Sequence, residues 1–190
     1  MKRDLCGKVI KKNLKPDALV YGGLGTASRT WRAQEAPHIT YYGTDPMGIS
    51  VSMALGLALA QPKRDVLLIC GDGDFAMGLG CLLTVVGSKV QNLKILIFDN
   101  NRYETGGSQM LAAAGSYSFA AIARGAGFTY AVDIRDDATA QKSIQDFLAQ
   151  PGLAFAAVQI DTEASPYPPA PAMAQVEERA LFMGRLAKEP

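Results

Sequence analysis

Between Val66 and Gly107 the chain reads VLLICGDGDFAMGLGCLLTVVGSKVQNLKILIFDNNRYETGG, and this stretch constrains the fold more than any other. Two short apolar runs, Val66–Cys70 and Ile95–Phe98, have the length and composition of buried strands. The first runs into Gly71-Asp72-Gly73-Asp74 and the second into the Asn100-Asn101 doublet. Twenty-six residues separate Gly73 from Asn100, room for one crossover helix, expected over Phe75–Val90 and apolar nearly all round. A right-handed βαβ unit then sets Asp72 beside the asparagines, at the carboxyl ends of adjacent parallel strands. N–H groups at a helix start attract anions, whereas a carboxylate repels them. A divalent cation reconciles the two, because hard oxygen ligands hold Mg²⁺ and Mg²⁺ holds phosphate oxygens. The stretch reads as a metal–diphosphate cradle.

The rest of the composition sets bounds. A length of 190 residues suits one α/β unit spanning residues 1–190, with 48% apolar and 19% charged residues giving a substantial core. A formal charge of +1 makes no electrostatic case for nucleic acid or a membrane surface. No apolar window approaches the roughly 18 residues of a membrane span, and MKRDL opens no signal peptide. Cys6, Cys70 and Cys81 read as free thiols in a reducing cytoplasm.

In chain order, Leu5, Val9, Ile10 and Leu14 recur at helical spacing among lysines, a short amphipathic helix. Ala18–Tyr21 is a strand, and Gly22-Gly23-Leu24-Gly25-Thr26 leads into a helix near Ala27–Ala33, either a tight turn or a second place for phosphate. As a dinucleotide fingerprint it lacks the third glycine and a convincing acid downstream. His38, the only histidine, reads as a solvated loop residue, and Glu35 as a surface acid. Thr40–Tyr42 is a strand and Ile49–Ala60 a small-residue, apolar helix, with Pro46 near its start. Asp74, near the start of the crossover helix, is either a cap or a donor of its N–H to phosphate. Further helices are expected at Ser118–Gly127, Ala138–Ala149 and Gln175–Leu186, and strands at Phe128–Ile134 and Ala154–Ile160. Ser165–Pro171 (SPYPPAP) begins a Pro-rich C-terminal arm, read as a packing strap or partner contact.

GDG and an Asn doublet, each at a strand end and correctly spaced, resemble the cofactor-anchoring domain of thiamine diphosphate (ThDP) enzymes. The YETGG run after DNN resembles sulfopyruvate and phosphonopyruvate decarboxylases more narrowly, and the likeness covers roughly Asp17 to Ile160. It implies a three-layer α/β/α fold with a mostly parallel central sheet. It also implies ThDP and Mg²⁺ as cofactors. The metal ligands become Asp72, the Asn100 side chain and the Arg102 carbonyl, a register set by Tyr103, with Asn101 the alternative to Asn100. Cofactor contacts fall on Gly25, Thr26, Ala27, Gly71, Gly73 and Asp74, on Tyr103, Glu104 and Thr105, and on the Asp45 carbonyl. Met47 becomes the wedge that bends the cofactor, although a methionine here is otherwise a core residue. Glu104–Gln109 becomes a loop closing over the cofactor, where its glycines equally allow a flexible surface turn. The extra Ser108 departs from the relatives' TGGQ. The absence of a CxxC pair counts against the ferredoxin-linked branch.

The family's pyrimidine-binding domain supplies a catalytic glutamate, and no second full βαβ set is evident here. The resemblance therefore implies a β-type subunit whose α-type partner brings that glutamate, for instance in an α2β2 assembly. The implied reaction is non-oxidative decarboxylation of a 2-oxo acid. The alternatives are an acetolactate synthase-like carboligase subunit and a non-catalytic nucleotide- or diphosphate-binding module. A sulfonate or phosphonate substrate would need a cation, with Arg29 and Arg102 the local candidates, although either also reads as a surface arginine.

Overall fold

The computed structural model describes residues 1–168 and 174–188, so part of the Pro-rich arm, from Pro169 to Pro171, lies outside the described residues. Strands β1 (Leu19–Gly22), β2 (Ile39–Tyr42), β3 (Val66–Gly71) and β4 (Leu93–Asp99) form one half of the fold. A two-stranded antiparallel ribbon, β5 (Arg102–Tyr103) and β6 (Gln109–Met110), is followed by β7 (Tyr130–Ile134) and β8 (Ala154–Gln159). The six longer strands make one sheet in the order β2-β1-β3-β4-β8-β7, every pair parallel. All seven residues of β4 and five of the six of β3 are buried, as expected of strands covered on both faces.

Alternation along the strands divides the core in two. Leu68, Cys70, Ile95, Ile97 and Phe155 face α3 (Ser50–Ala60), α4 (Asp72–Met77), α5 (Cys81–Gly87) and α6 (Phe119–Ala126). Leu67, Ile69, Leu96, Phe98 and Val158 face α1 (Arg3–Asn13), α2 (Thr26–Ala33) and α7 (Ala140–Ala149). The result is the expected three-layer arrangement. The last helix, α8 (Ala174–Lys188), packs at the β2 edge, with Phe182 edge-on to Tyr41. From β1 the chain goes outward to β2, then crosses back to β3 on the other side. That reversal leaves a crevice at the carboxyl ends of β1 and β3. Among the described residues, no helix is long and apolar enough to cross a membrane.

Three expectations need correction. The crossover is two short helices, not one over Phe75–Val90. At its break, Gly78-Leu79-Gly80, the backbone passes against the loop before α3: a Cβ on Gly78 would lie 2.1 Å from the Gly48 carbonyl oxygen. Gly48 itself sits at φ 93°, and a Cβ there would press on Met77. Two backbones cross where neither tolerates a side chain. The crossover is also less buried than its composition suggests, since Leu82 and Val85 point inward while Met77 and Leu83 are 57% and 67% exposed.

On α1, Leu5 is exposed and the inward face is Arg3, Cys6, Val9 and Ile10. His38 is buried rather than solvated, tilted against Trp31 with Nε2 3.1 Å from the Lys15 carbonyl oxygen. Burial without a second partner for Nδ1 disfavours the imidazolium and lowers its pKa below 6.5.

Two outcomes follow from these contacts. Gly78→Ala keeps a negative φ that alanine adopts but meets the Gly48 backbone, and should cost about 1–3 kcal/mol in urea unfolding, with an unchanged m-value. His38 has a folded pKa below its unfolded one, so its contribution to stability is present above pH 6.5 and is lost as pH falls below that value. As the only histidine, it gives a single imidazole titration by NMR, and a midpoint at or above 6.5 would contradict the burial.

Candidate functional site

The crevice at the switch point is a cleft of about 440 Å³ including its open mouth. Its first wall is the turn from β1 into α2. Gly25, at φ 99°, leaves the α2 N-terminus without a side-chain cap, so the first N–H groups of that helix open into the cleft. Gly23 allows close approach from behind, since a Cβ there would lie 2.6 Å from Ser50 Oγ and 2.8 Å from Cys70 Cβ.

The second wall is the tip of β3, where Gly71 ends the strand and Asp72 begins α4. Parallel pairing of β3 and β4 places Gly71 opposite Phe98, so the residues after each strand stand side by side. The Arg102 N–H donates both to Asp72 Oδ2 at 3.2 Å and to Asn100 Oδ1 at 3.0 Å. A carboxylate oxygen and an amide oxygen thus converge on one point. Asn101 turns away: at φ 60°, its Oδ1 accepts from Gly115 N and Tyr117 Oη, both at 3.2 Å.

Asp72 is 2% exposed and stands against Asp99, the last residue of β4. Burial, followed by the charge of Asp99, raises the Asp72 pKa to about 7, and burial raises that of Asp99 as well. The pair accepts hydrogen bonds from Gly73 N and Asn101 N, but the two charges repel each other. Among the described residues, no cluster of three or more His, Cys, Asp or Glu side chains could hold a metal. The available donors are carboxylate, amide and backbone oxygens, a hard set suited to Mg²⁺ rather than zinc.

The third wall is the loop before α3. The Asp74 carboxylate accepts from Gly48 N at 2.7 Å and Ser50 Oγ at 2.5 Å, tying the start of α4 to this loop. Met47 and Tyr103 close on Gly73, where a Cβ would lie 3.3 Å from Met47 Cε and 2.6 Å from Tyr103 Cδ1. Glu104 and Thr105, in the short 3₁₀ turn of the β5–β6 ribbon, complete the rim. Thr105 stands near Gly25, across the cleft mouth.

Every site residue anticipated from the sequence lines this cleft except Asp45, whose carboxylate accepts from Tyr21 Oη at 2.5 Å. Arg29 is half-buried, and the Arg102 guanidinium is bonded to the Ser108 carbonyl. Gln109 is exposed and does not line the cleft. Sequence reasoning missed Asp99, which stands against Asp72, and Arg3, whose guanidinium bonds the Glu104 carboxylate at 3.1 Å. Asp99 was visible as the acid directly before the asparagines; nothing local marked Arg3.

An open-mouthed crevice at the switch point of a parallel sheet, with helix-start donors on one side and oxygen ligands on the other, is the architecture of a diphosphate-binding α/β protein. Residues 22–158 match the family described as "Thiamine pyrophosphate enzyme, C-terminal TPP binding domain", and the chain belongs to that family. It is 35% identical over 145 residues to sulfopyruvate decarboxylase subunit beta of Methanothermobacter thermautotrophicus, covering 76% of this chain and 74% of the relative. Phosphonopyruvate decarboxylase of Streptomyces hygroscopicus is 35% identical over 66% of this chain and 31% of its own length. Acetolactate synthase isozyme 1 large subunit of Escherichia coli is 32% identical over 74% and 28%, respectively. In fold, the chain is similar to a thiamine diphosphate-dependent 4-hydroxybenzoylformate decarboxylase of Rhodococcus jostii. That match has a TM-score of 0.66 at 17% identity, covering 87% of this chain and 33% of the other. The chain thus spans about a third of the longer relatives.

The electrostatics of Asp72 give a testable sign. Its folded pKa lies above the unfolded value of 3.8, so its ionisation destabilises the fold progressively from about pH 4 to about pH 7 and no further above that. Asp72→Asn should therefore raise the melting temperature of the metal-free chain at pH 8 and leave it nearly unchanged at pH 4. Differential scanning calorimetry at both pH values checks this.

Proposed function

We propose that the chain is the diphosphate-binding subunit of a ThDP- and Mg²⁺-dependent decarboxylase acting on a small 2-oxo acid of the sulfopyruvate or phosphonopyruvate type. The observation that carries this reading is the convergence of the Asp72 carboxylate and the Asn100 amide oxygen on one point, beside helix-start donors at Thr26 and Ala27. The fit to Mg²⁺ rests on the donor chemistry and on the uncompensated Asp72–Asp99 pair, whose repulsion a dication relieves. Asp72, Asn100 and the Arg102 carbonyl would hold the ion. Asn101, committed to Gly115 and Tyr117, is left out.

Gly25, Thr26 and Ala27 on one side, and Gly71, Gly73 and Asp74 on the other, would face the diphosphate through backbone groups. Tyr103, Glu104 and Thr105 close the rim. Met47, held by the Asp74–Gly48 bond, supports the bent form of the cofactor, with the Asp45 carbonyl at its pyrimidine side. When bound, ThDP would supply a carbanion nucleophile and an electron sink for the bond pair left behind as CO₂ departs. The chain's own contribution is to anchor, orient and exclude water.

A partner is part of the proposal. The relative covered to 74% is itself named a beta subunit, which supports an α-type chain bringing the glutamate that acts on the pyrimidine ring, in a hetero-oligomer such as α2β2. The exposed surface of α3, the end of α4 and α5 fits that role: Ile49 at the start of α3, Met53, Met77 and Leu83 are exposed, and no charged residue occurs between Gly48 and Ala60 or between Phe75 and Ser88. The likeness to an acetolactate synthase supports a second reading, carboligation, in which a second carbonyl compound takes the place of the proton. We place the complex in the cytoplasm.

The test is to purify the chain with its partner and supply ThDP, Mg²⁺ and either sulfopyruvate or phosphonopyruvate. The expected outcome is CO₂ with one aldehyde per turnover, at least 100-fold less with Asp72→Ala or Asn100→Ala, and near-normal rates with Asn101→Ala. A coupled hydroxyketone in place of aldehyde would favour the ligase. Mg²⁺-independent nucleotide binding would favour a non-catalytic module.

A further inference from the structure

Glu104 is the most heavily engaged side chain at the site. Its Oε2 accepts from Thr26 Oγ1 at 2.7 Å and from Asn100 Nδ2 at 3.0 Å, and its Oε1 accepts from Ser165 N at 2.9 Å. Arg3 Nη1 lies 3.1 Å from both carboxylate oxygens, from a position 101 residues earlier in the chain. The side chains are little exposed, 5% for Arg3 and 14% for Glu104, so this ion pair is not a solvated surface contact. Arg3 is held in turn by the Glu163 carbonyl at 2.5 Å and by its own N–H on Asp161 Oδ2 at 3.0 Å.

Two consequences follow from this geometry. An Asn amide can present either its oxygen or its nitrogen in a given direction. Here the Arg102 N–H demands an acceptor on one side, and the Glu104 carboxylate demands a donor on the other. Both demands are met only when Oδ1 faces Asp72; a flip would set Oδ1 against a carboxylate. The second consequence concerns charge. A bare carboxylate beside Thr26 would repel an anion arriving at the α2 start, and the Arg3 guanidinium cancels it.

We infer that Glu104, neutralised by Arg3, is a positioning residue that fixes the Asn100 amide with its oxygen toward the cation and leaves the adjoining turn open to diphosphate. The inference rests on the functional reading above. It makes the first turn of α1 part of the cofactor site, although Arg3 touches neither cation nor cofactor. The beginning of the arm at Ser165 joins the same node.

The test is calorimetric titration of ThDP, at saturating Mg²⁺ and with no substrate, into the complex of the chain with its partner and into the same complex carrying each variant, with melting temperatures as a control for folding. Glu104→Ala should weaken ThDP at least tenfold, within the range of about 10–100-fold typical of residues that orient metal ligands. Arg3→Met should weaken it comparably by leaving the carboxylate unbalanced. The double variant Arg3→Met, Glu104→Gln removes the charge while keeping an oxygen for Thr26 and Asn100, and should recover most of that loss. A purely structural salt bridge predicts instead that Arg3→Met lowers the melting temperature and the double variant restores it, with ThDP affinity within a few-fold of native in every folded variant.

A loss below tenfold in Glu104→Ala, or no recovery in the double variant, overturns the inference. If Glu104→Ala does not fold, the comparison of Arg3→Met with the double variant decides alone. Asp72→Ala separates the two levels. If the native chain takes up ThDP without needing Mg²⁺, or if Asp72→Ala binds as well as native, the functional reading itself fails and the inference falls with it. If Asp72→Ala abolishes binding while the Glu104 variants bind normally, only the inference fails.

Discussion

The parallel pairing of β3 with β4 is the constraint on which the rest depends. It brings the residue after Gly71 beside those after Phe98, and so confines Asp72 and Asp99 within one buried corner. A folded chain does not ordinarily hold two carboxylates there without a counter-charge; the neutralisation of buried charge is normally supplied by pairing or by metal. Arg102 contributes its backbone N–H to the corner, but its guanidinium reaches outward to the ribbon. The strain of the pair is thus local and chemically legible, as expected where function rather than stability has set the residues.

Around that corner the structure spends backbone and polar contacts on position. The Gly48–Gly78 crossing brings the loop carrying Met47 into backbone contact with the crossover, and Asp74 bonds the same loop to the start of α4. On the opposite side, Glu104 gathers a turn, a ribbon, the first helix and the start of the arm into one node. The cleft is therefore framed from segments far apart in sequence, all converging on the carboxyl edge of the sheet. The exposed residues of α3 and α5 carry no charge, in contrast to the polar lining of the cleft.

Much of this was legible in advance. The strands around GDG and the Asn doublet were readable because continuous apolar runs mark strands covered on both faces, and right-handed crossover fixes which ends meet. The Asn100 register was readable only with Tyr103 as a marker; periodicity alone left both asparagines open. The single long crossover helix was misread because its apolar run outweighed Gly78 and Gly80, and the Gly48 carbonyl that Gly78 passes lies 30 residues away in sequence. His38 was read as solvated because a loop histidine after proline carries no local sign of the Trp31 ring that covers it.

The sequence by itself determined the parallel strand–crossover–strand unit and the donor types that meet at its tips, because both follow from apolar run length, spacing and residue type; the full three-layer arrangement was legible only through the family resemblance. Only the tertiary structure decided which asparagine faces Asp72, where the Gly48 and Gly78 backbones cross, and that Arg3 reaches Glu104. Those outcomes depend on contacts between segments as many as 101 residues apart. No local pattern encodes such contacts, because they exist only once the sheet has brought the segments together.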